Sequence, residues 1–231
     1  MEDHSHLDPH RVKAIFFDID GTLANTDDAY VRRLANTLRP FRSFFPEYDP
    51  TPSARWLVMS AETPINWFLS LLERMRLDFI PLPEADDLAD NRERTSHGGI
   101  ALIPGVGDLI PRLHAVYPLA IVTARGEAET HRFLEQFNLK RFFRVAVTSR
   151  TCRRSKPFPD PVLWAAGELD VNPHSCLMVG DTTVDIRSGR SAGAQTVGVL
   201  CGFGERAELE NAGADVILDS TADLAEVLLG E

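Results

Sequence analysis

The sequence is poor in cysteine and lysine and contains no long hydrophobic run. Its three cysteines are odd in number and widely spaced, so neither a disulfide framework nor a zinc knuckle is indicated. No apolar stretch approaches the roughly 20 residues of a membrane span, and the polar N-terminus has no signal-peptide core. The formal net charge of −10 argues against binding to nucleic acid or to an anionic membrane, because cationic patches drive both. We therefore expect a cytoplasmic protein with neither kind of partner.

The most informative stretch covers residues 14–23. Its first four residues are apolar and are followed at once by Asp18, Asp20 and Gly21, a pattern typical of a buried strand that opens into a loop. Open α/β sheets bind their ligands at such carboxyl ends of strands. Two carboxylates this close cannot both ionise cheaply in a desolvated pocket. The pair therefore implies either a shared proton or a bound metal.

The remainder of the sequence predicts an α/β core domain with an inserted helical domain. Residues 1–11 are expected to form a disordered arm. Residues 24–98 have helical patterning without a convincing strand, which predicts an α-helical cap domain inserted into a core formed by 12–23 and 99–231. Within the core, apolar strand patterns alternate with amphipathic helix patterns, which specifies a Rossmann-like parallel sheet with right-handed crossovers. The core strands are expected at about 12–17, 119–122, 145–148, 176–179, 196–200 and 215–218.

One predicted core helix contains a proline. Apolar residues between 106 and 113 share one helical face. Because Pro111 lacks an N–H donor, it is tolerable only in the first turn of a helix. We therefore expect this helix to begin at Gly107 or Asp108.

Chemically active residues cluster at the predicted carboxyl edge of the sheet. They provide carboxylates for a metal and a nucleophile, a hydroxyl with nearby backbone amides, and one ammonium. Such an inventory suits phosphoryl transfer, in which positioning and neutralisation of phosphate charge dominate catalysis. The oxygen-only ligand set favours Mg²⁺ over zinc. The residues are Asp18 and Asp20 after the first strand, Thr123 and Arg125 after the second, Asp181 and Asp185 after a later one, and Lys156 in a loop.

Four motifs occur in a fixed order along the chain: Phe17-Asp18-Ile19-Asp20-Gly21-Thr22-Leu23, the strand-end Thr123, Lys156-Pro157, and Gly180-Asp181-Thr182-Thr183-Val184-Asp185. They resemble the motifs of the haloacid dehalogenase-like (HAD) hydrolase superfamily. The resemblance extends from about residue 12 to residue 219, and the helical insertion resembles that superfamily's cap placed after the first motif. The order and spacing of the motifs carry the resemblance, since each motif apart from the first is weak alone.

The resemblance implies a phosphatase that works through a covalent intermediate. Asp18 would attack phosphorus as the nucleophile and become an aspartyl phosphate. Asp20 would act as general acid and base, protonating the leaving oxygen and later taking a proton from the hydrolytic water. Thr123 and neighbouring backbone amides would hold the phosphate, and Lys156 would balance its charge.

The same resemblance implies a magnesium site and a substrate site. Mg²⁺ would bind Asp18, the main-chain carbonyl of Asp20, and Asp181, with Asp185 supporting the site. The implied substrate-binding residues are Gly21, Thr22, Thr123, Ala124, Arg125 and Lys156.

Within the superfamily, the sequence is most similar to phosphoglycolate phosphatase-like enzymes. Dehalogenases of the family lack the second aspartate of the first motif, and Asp20 is present. Phosphonatases use a cap lysine, but no lysine lies between Lys13 and Lys140. Two alternatives stay open: a β-phosphoglucomutase-like phosphosugar mutase, and a phospholigand-binding protein without turnover. The expected partner is a small phosphorylated metabolite, and the expected state is a monomer or homodimer.

Arg125 departs from the family pattern, since many such phosphatases have Asn-Lys where Ala124-Arg125 stands here. A guanidinium at this position could pair with a second anionic group of the substrate through a bidentate fork that lysine cannot supply. The alternative is that Arg125 faces solvent at the start of a helix. The sequence leaves both interpretations open.

Overall fold

A computed structural model of the protein describes residues 7–25, 39 and 100–230. The predicted helical cap over 24–98 therefore lies almost entirely outside the described residues and stays a prediction. The chain divides into two compact units, residues 1–26 with 101–231 and residues 27–100.

The first unit is built on a sheet of six parallel strands, and two short strands form a separate sheet. The strands are β1 (Ala14–Phe17), β2 (Ala24–Asn25), β3 (Ala101–Leu102), β4 (Leu119–Val122), β5 (Phe143–Val147), β6 (Cys176–Gly180), β7 (Gln195–Val199) and β8 (Val216–Leu218). The order in the large sheet is β5-β4-β1-β6-β7-β8, and β2 pairs with β3 in the small one. Every strand predicted for the large sheet is present within two residues of its expected bounds, so the Rossmann-like α/β fold is confirmed.

Helices connect the strands of the sheet, as the alternating pattern predicts. Among the described helices, none is long and apolar enough to cross a membrane. The α-helices are α1 (Val106–His114), α2 (Glu127–Gln136), α3 (Asp160–Glu168), α4 (Thr183–Ala192), α5 (Arg206–Ala212) and α6 (Leu224–Leu229). Short 3₁₀ helices lie at Pro9–Arg11, Lys140–Phe142, Pro173–Ser175 and Thr221–Asp223.

Strand β1 is the centre of the sheet. It pairs in parallel with β4 on one side and with β6 on the other, so that Phe16 lies opposite both Ala120 and Met178. All four β1 residues are buried, which explains its continuous apolar run, since helices cover both faces of a parallel sheet. Strands β4 and β5 lie on one side of β1, and strands β6, β7 and β8 lie on its other side. The carboxyl ends of β1, β4 and β6 therefore meet at a topological switch point, where open α/β sheets form their binding crevice.

The small sheet joins the two ends of the insertion. Ala24 pairs with Leu102 and Asn25 pairs with Ala101 in antiparallel register. The Ile103 N–H also donates to the Leu23 carbonyl at 2.9 Å. The chain therefore leaves the core and returns to it along two adjacent strands.

The prediction of a disordered arm over 1–11 is wrong for residues 7–11. Leu7 is buried, and a 3₁₀ helix follows at Pro9–Arg11 with the Asp8 carboxylate accepting from the His10 N–H at 3.1 Å. The Asp8 N–H donates to the Gln195 side chain at 2.7 Å, and the Gln195 amide donates back to the Asp8 carbonyl at 3.1 Å. This reciprocal pair fixes the segment to β7. Residues 1–6 lie outside the described part of the chain.

The expected start of helix α1 is also wrong. The helix begins at Val106, so Pro111 lies in its interior instead of its first turn. Val106, Leu109, Ile110 and Leu113 are all buried on one face. Burial of four apolar side chains, at about 1.5–3 kcal/mol each, outweighs the roughly 3 kcal/mol cost of an interior proline.

Candidate active site

The structure brings the sequence-predicted polar residues to one edge of the sheet. Asp18 continues β1, donating its N–H to the Val179 carbonyl at 3.0 Å, and Thr123 continues β4 in the same way toward Val147 at 2.9 Å. Asp181 follows β6 directly, and Asp185 lies in the first turn of α4. Each of these side chains is therefore held at a strand end or helix start.

Lys156 joins two of the carboxylates. Its Nζ lies 2.9 Å from Oδ1 of Asp18 and 2.6 Å from Oδ1 of Asp185, and it also donates to the Val122 carbonyl at 3.1 Å. An ammonium has three donors, and all three are used here. The side chain of Lys156 is 5% exposed, that of Asp18 is 10% exposed and that of Asp185 is fully buried. Their charges therefore interact in a desolvated site. We call Asp18, Lys156 and Asp185 the lysine cluster.

The electrostatics of this cluster follow from burial and charge. Burial raises the pKa of Asp18 to about 6, helped by the nearby carboxylates of Asp185 and Asp20 and opposed by Lys156. Burial lowers the pKa of Lys156, but the adjacent carboxylates of Asp18 and Asp185 more than reverse this and raise it above its ordinary value. Lys156 is therefore a permanent cation in the site.

Asp185 is bound on both of its carboxylate oxygens. Oδ1 accepts from Lys156, while Oδ2 accepts from the Thr182 N–H at 3.1 Å and from the Thr182 hydroxyl at 2.6 Å. The Thr182 contacts form a capping box at the start of α4. This carboxylate thus fixes both the helix start and the lysine.

Asp181 is oriented by two other segments of the chain. Its Oδ1 accepts from the Thr22 hydroxyl at 3.2 Å, and its Oδ2 accepts from the Phe203 N–H at 2.9 Å. Gly21 has φ of +69° and lies against this carboxylate, where a Cβ would collide with it. Gly202, before Phe203, approaches Asp181 equally closely. The first motif thus shapes the space around Asp181.

Sequence reasoning missed the contribution of the segment around Phe203. A backbone N–H carries no residue-type signature, so no sequence motif marks it. The signal that could have found it is the pair Gly202 and Gly204, which flank Phe203 just after the end of β7. Glycines at a strand end indicate a close backbone approach.

Three carboxylates form a group that could hold a metal ion. Asp18, Asp181 and Asp185 each offer an oxygen, and these atoms all lie within 4.8 Å of one another. All three residues are buried. An oxygen-only set of this kind fits a hard divalent cation such as Mg²⁺ better than zinc.

Arg125 makes a bidentate ion pair with Asp20. Its Nε lies 2.7 Å from Oδ2 and its Nη2 lies 2.5 Å from Oδ1. The arginine side chain is 12% exposed and the aspartate side chain 32%. The interpretation that Arg125 faces solvent is therefore wrong. A contact between Arg125 and substrate remains a prediction.

The other predicted substrate-binding residues lie at different depths. Thr22 is fully buried, its hydroxyl donates to Asp181, and its carbonyl accepts from the Thr221 hydroxyl at 2.6 Å. Thr123 is also buried, and its hydroxyl accepts from the Arg125 N–H at 3.2 Å. Ala124, which lies between Thr123 and Arg125 in the loop, is exposed. Thr22 thus supports Asp181, while Ala124 and the Thr123 loop border the site.

Residues 15–199 match the family model described as haloacid dehalogenase-like hydrolase. The chain belongs to this family. The match covers all four motifs and most of the sheet, and it confirms the resemblance stated from the sequence. As a haloacid dehalogenase-like hydrolase, the chain is an enzyme, and its curated relatives include proteins named pyrophosphatase and phosphoglycolate phosphatase.

Relatives of this hydrolase cover nearly its full length. Pyrophosphatase PpaX of Anoxybacillus flavithermus is 28% identical over 94% of this chain and 97% of its own length. Phosphoglycolate phosphatase of Nitrosococcus oceani is 25% identical over 93% and 95%. The crystal structure of CbbY from Rhodobacter sphaeroides in complex with phosphate superposes with a TM-score of 0.65 at 28% identity, covering 92% of this chain and 96% of that one.

Proposed function

We propose that this hydrolase is a Mg²⁺-dependent phosphatase that cleaves a small phosphomonoester through an aspartyl phosphate on Asp18, in the manner of phosphoglycolate phosphatases. The observation that carries the proposal is the lysine cluster beside Asp181. Together, the cluster and Asp181 bring three buried carboxylates and one ammonium to the carboxyl ends of β1 and β6. The phosphatase names of two full-length relatives support the same reaction class.

In the proposed first step, an Asp18 oxygen attacks phosphorus and the bond from phosphorus to the ester oxygen breaks. Asp20 donates its proton to the departing oxygen, which leaves as an alcohol. Lys156 lies 2.9 Å from Asp18, so it is placed to offset phosphate charge when the new bond forms. The Thr123 hydroxyl and nearby backbone amides hold the phosphoryl oxygens.

In the second step, Asp20 takes a proton from a water molecule, and the resulting oxygen nucleophile attacks phosphorus. The bond between phosphorus and Asp18 breaks, which releases inorganic phosphate and restores the carboxylate. Asp20 thus gives a proton in one step and recovers one in the other, so the cycle balances.

Asp18, Asp181 and the Asp20 main-chain carbonyl would hold Mg²⁺, which would supply positive charge against the phosphate. Asp185 would support this set as an outer residue, with one oxygen on Lys156 and the other on Thr182. The Thr22 hydroxyl and the Phe203 N–H orient Asp181 by donating to its carboxylate.

The proposed substrate is a small phosphorylated metabolite. Pyrophosphate and phosphoglycolate, the substrates in the names of the two relatives, each carry a second anionic group beside the phosphoryl group that would be transferred. We also propose that residues 24–98 form a cap domain that selects the substrate, since the adjacent strands β2 and β3 bring both ends of that segment to one place on the core.

The test is phosphate release with Mg²⁺ from phosphoglycolate, pyrophosphate, sugar phosphates and nucleotides, measured beside Asp18→Asn. We expect release that stops in the variant and after chelation of the metal. Conversion of one sugar phosphate into its isomer without free phosphate would instead establish the mutase. Tight phosphate-ester binding with neither product would establish a binding protein.

A further inference from the structure

Asp20 occupies an unusual position for a residue that must transfer a proton accurately. It lies beyond the end of β1, where it forms a bridge with Ala24 at the base of the turn 21–23 and the Gly21 N–H donates to the Ala24 carbonyl at 2.9 Å. Its side chain is about one-third exposed, in contrast to Asp18. A partly exposed aspartate side chain has several accessible rotamers. Since a misplacement of about 1 Å can cost about 100-fold in rate, something must fix this carboxylate.

Arg125 is itself immobilised on both sides. Its N–H donates to the Thr123 hydroxyl at 3.2 Å, and its carbonyl accepts from the Ser149 N–H at 3.0 Å. The guanidinium carbon lies 5.4 Å from the centroid of the buried Phe133 ring. The two backbone contacts fix the base of the Arg125 side chain, and packing against Phe133 restricts its guanidinium.

The geometry of the pair restricts Asp20 in two ways. Two parallel N–H donors on one planar group set both the distance and the rotation of a carboxylate. The partners come from the ends of neighbouring strands β1 and β4, so the sheet itself fixes the separation of their backbones. A lysine could supply the charge at this position but not the fork.

We propose that Arg125 is the positioning residue of Asp20, holding this carboxylate in place for proton transfer. The inference rests on the proposed function, because it takes Asp20 as the general acid and base. In this role the Nε and Nη2 groups of Arg125 bind the Asp20 carboxylate and do not contact the substrate. Truncation of the arginine should therefore slow the chemistry more than it weakens substrate binding.

The experiment compares kcat and KM of wild type, Arg125→Lys and Arg125→Met on the best substrate found for the wild type. We expect Arg125→Met to lower kcat about 10- to 100-fold with KM changed less than about threefold. Arg125→Lys should recover only a small part of the loss. Added guanidinium ion should raise kcat of Arg125→Ala, because truncation to alanine leaves room for the ion to pair with Asp20, while an equal concentration of ammonium should not.

The matched control is Arg206→Met, which removes an exposed arginine 3.3 Å from Asp219. This variant should keep the wild-type kcat and should not respond to guanidinium. Circular dichroism and melting curves check that each variant is folded, and the split between kcat and KM in Arg125→Met and Arg125→Lys carries the test if Arg125→Ala does not fold.

The outcomes separate the two proposals. An increase in KM with unchanged kcat would show that Arg125 binds substrate, and it would overturn the positioning role while leaving the phosphatase intact. Wild-type kcat in Arg125→Met, or loss without any guanidinium rescue, would overturn it too. A wild-type protein that turns over no phosphate ester would overturn the proposed function and this inference with it.

Discussion

Asp18 and Asp20 are the same residue type two positions apart, yet the fold gives them different surroundings. Asp18 is buried against an ammonium that it shares with Asp185. Asp20 is about one-third exposed and is held by a planar guanidinium. The first continues a strand and the second lies in the turn after it. The difference teaches that placement relative to the strand end, and not residue type, would separate the proposed nucleophile Asp18 from the proposed proton carrier Asp20.

The largest expected effect comes from replacing Asp18, the buried aspartate of the two. Asp18→Asn should lower phosphatase activity on the order of 10⁴-fold or more, because the proposed covalent step loses its nucleophile. Acid-quenched mass spectrometry should then find no phosphorylated protein. Persistence of a phosphoryl group on the variant would show that another side chain is the nucleophile.

Replacing Asp20, the more exposed aspartate, should give a different defect. Asp20→Asn should lower kcat about 100- to 10,000-fold on substrates with poor leaving groups, because proton transfer to the departing oxygen is lost. With p-nitrophenyl phosphate, whose leaving group needs no proton, the phosphorylated Asp18 should accumulate. Absence of phosphorylated Asp18 during turnover of p-nitrophenyl phosphate would contradict the assignment of Asp20 as the acid and base.

The stability of the lysine cluster provides a third contrast. Lys156→Met leaves Asp18 and Asp185 buried without their cation, and we expect a loss of about 3–5 kcal/mol in the free energy of unfolding. Lys140→Met is the matched control, because Lys140 forms an exposed pair with Glu135 at 2.7 Å. Its denaturant midpoint should hardly move. Equal midpoints for the two variants would show that Lys156 does not stabilise the folded protein through the buried carboxylates of Asp18 and Asp185.

The smallest expected effect is a pH dependence of stability in metal-free protein. The pKa of Asp18 is raised from 3.8 to about 6, so the folded state binds a proton more tightly than the unfolded state. This contribution to stability is fully present below pH 3.8 and is lost as pH rises through about 6.

Denaturant unfolding in chelator between pH 4 and pH 7 measures this effect. Relative to wild type, Asp18→Asn should gain up to about 3 kcal/mol across that range, since it has no carboxyl group to ionise. Parallel stability curves for the two proteins would show that Asp18 ionises in the folded state at its ordinary pKa.

Much of the fold could be predicted because it depends on local pattern. Buried parallel strands are continuous apolar runs, and their ends are marked by polar residues such as Asp18 and Thr123. Helices α5 and α6 were missed. They span only Arg206–Ala212 and Leu224–Leu229, too few turns for a period of 3.6 residues to stand out.

The site was predictable wherever a motif names a side chain, and less so where geometry decides. Asp18, Asp181, Asp185 and Lys156 are brought together as their order along the strands suggests. The pair between Asp20 and Arg125 joins residues from two strand ends, and sequence alone gives no measure of that separation. The interior Pro111 is a similar case, because only the tertiary burial of α1 shows why the helix tolerates it.

The paired strands β2 and β3 have a consequence for how this enzyme can diversify. Neighbouring antiparallel Cα atoms are about 5 Å apart, so the 26–100 segment begins and ends at nearly one point. A tight turn that joins Asn25 to Ala101 would span the same gap without stretching the core. We therefore expect that this segment can be shortened or exchanged without moving the strand ends that carry Asp18 and Thr123.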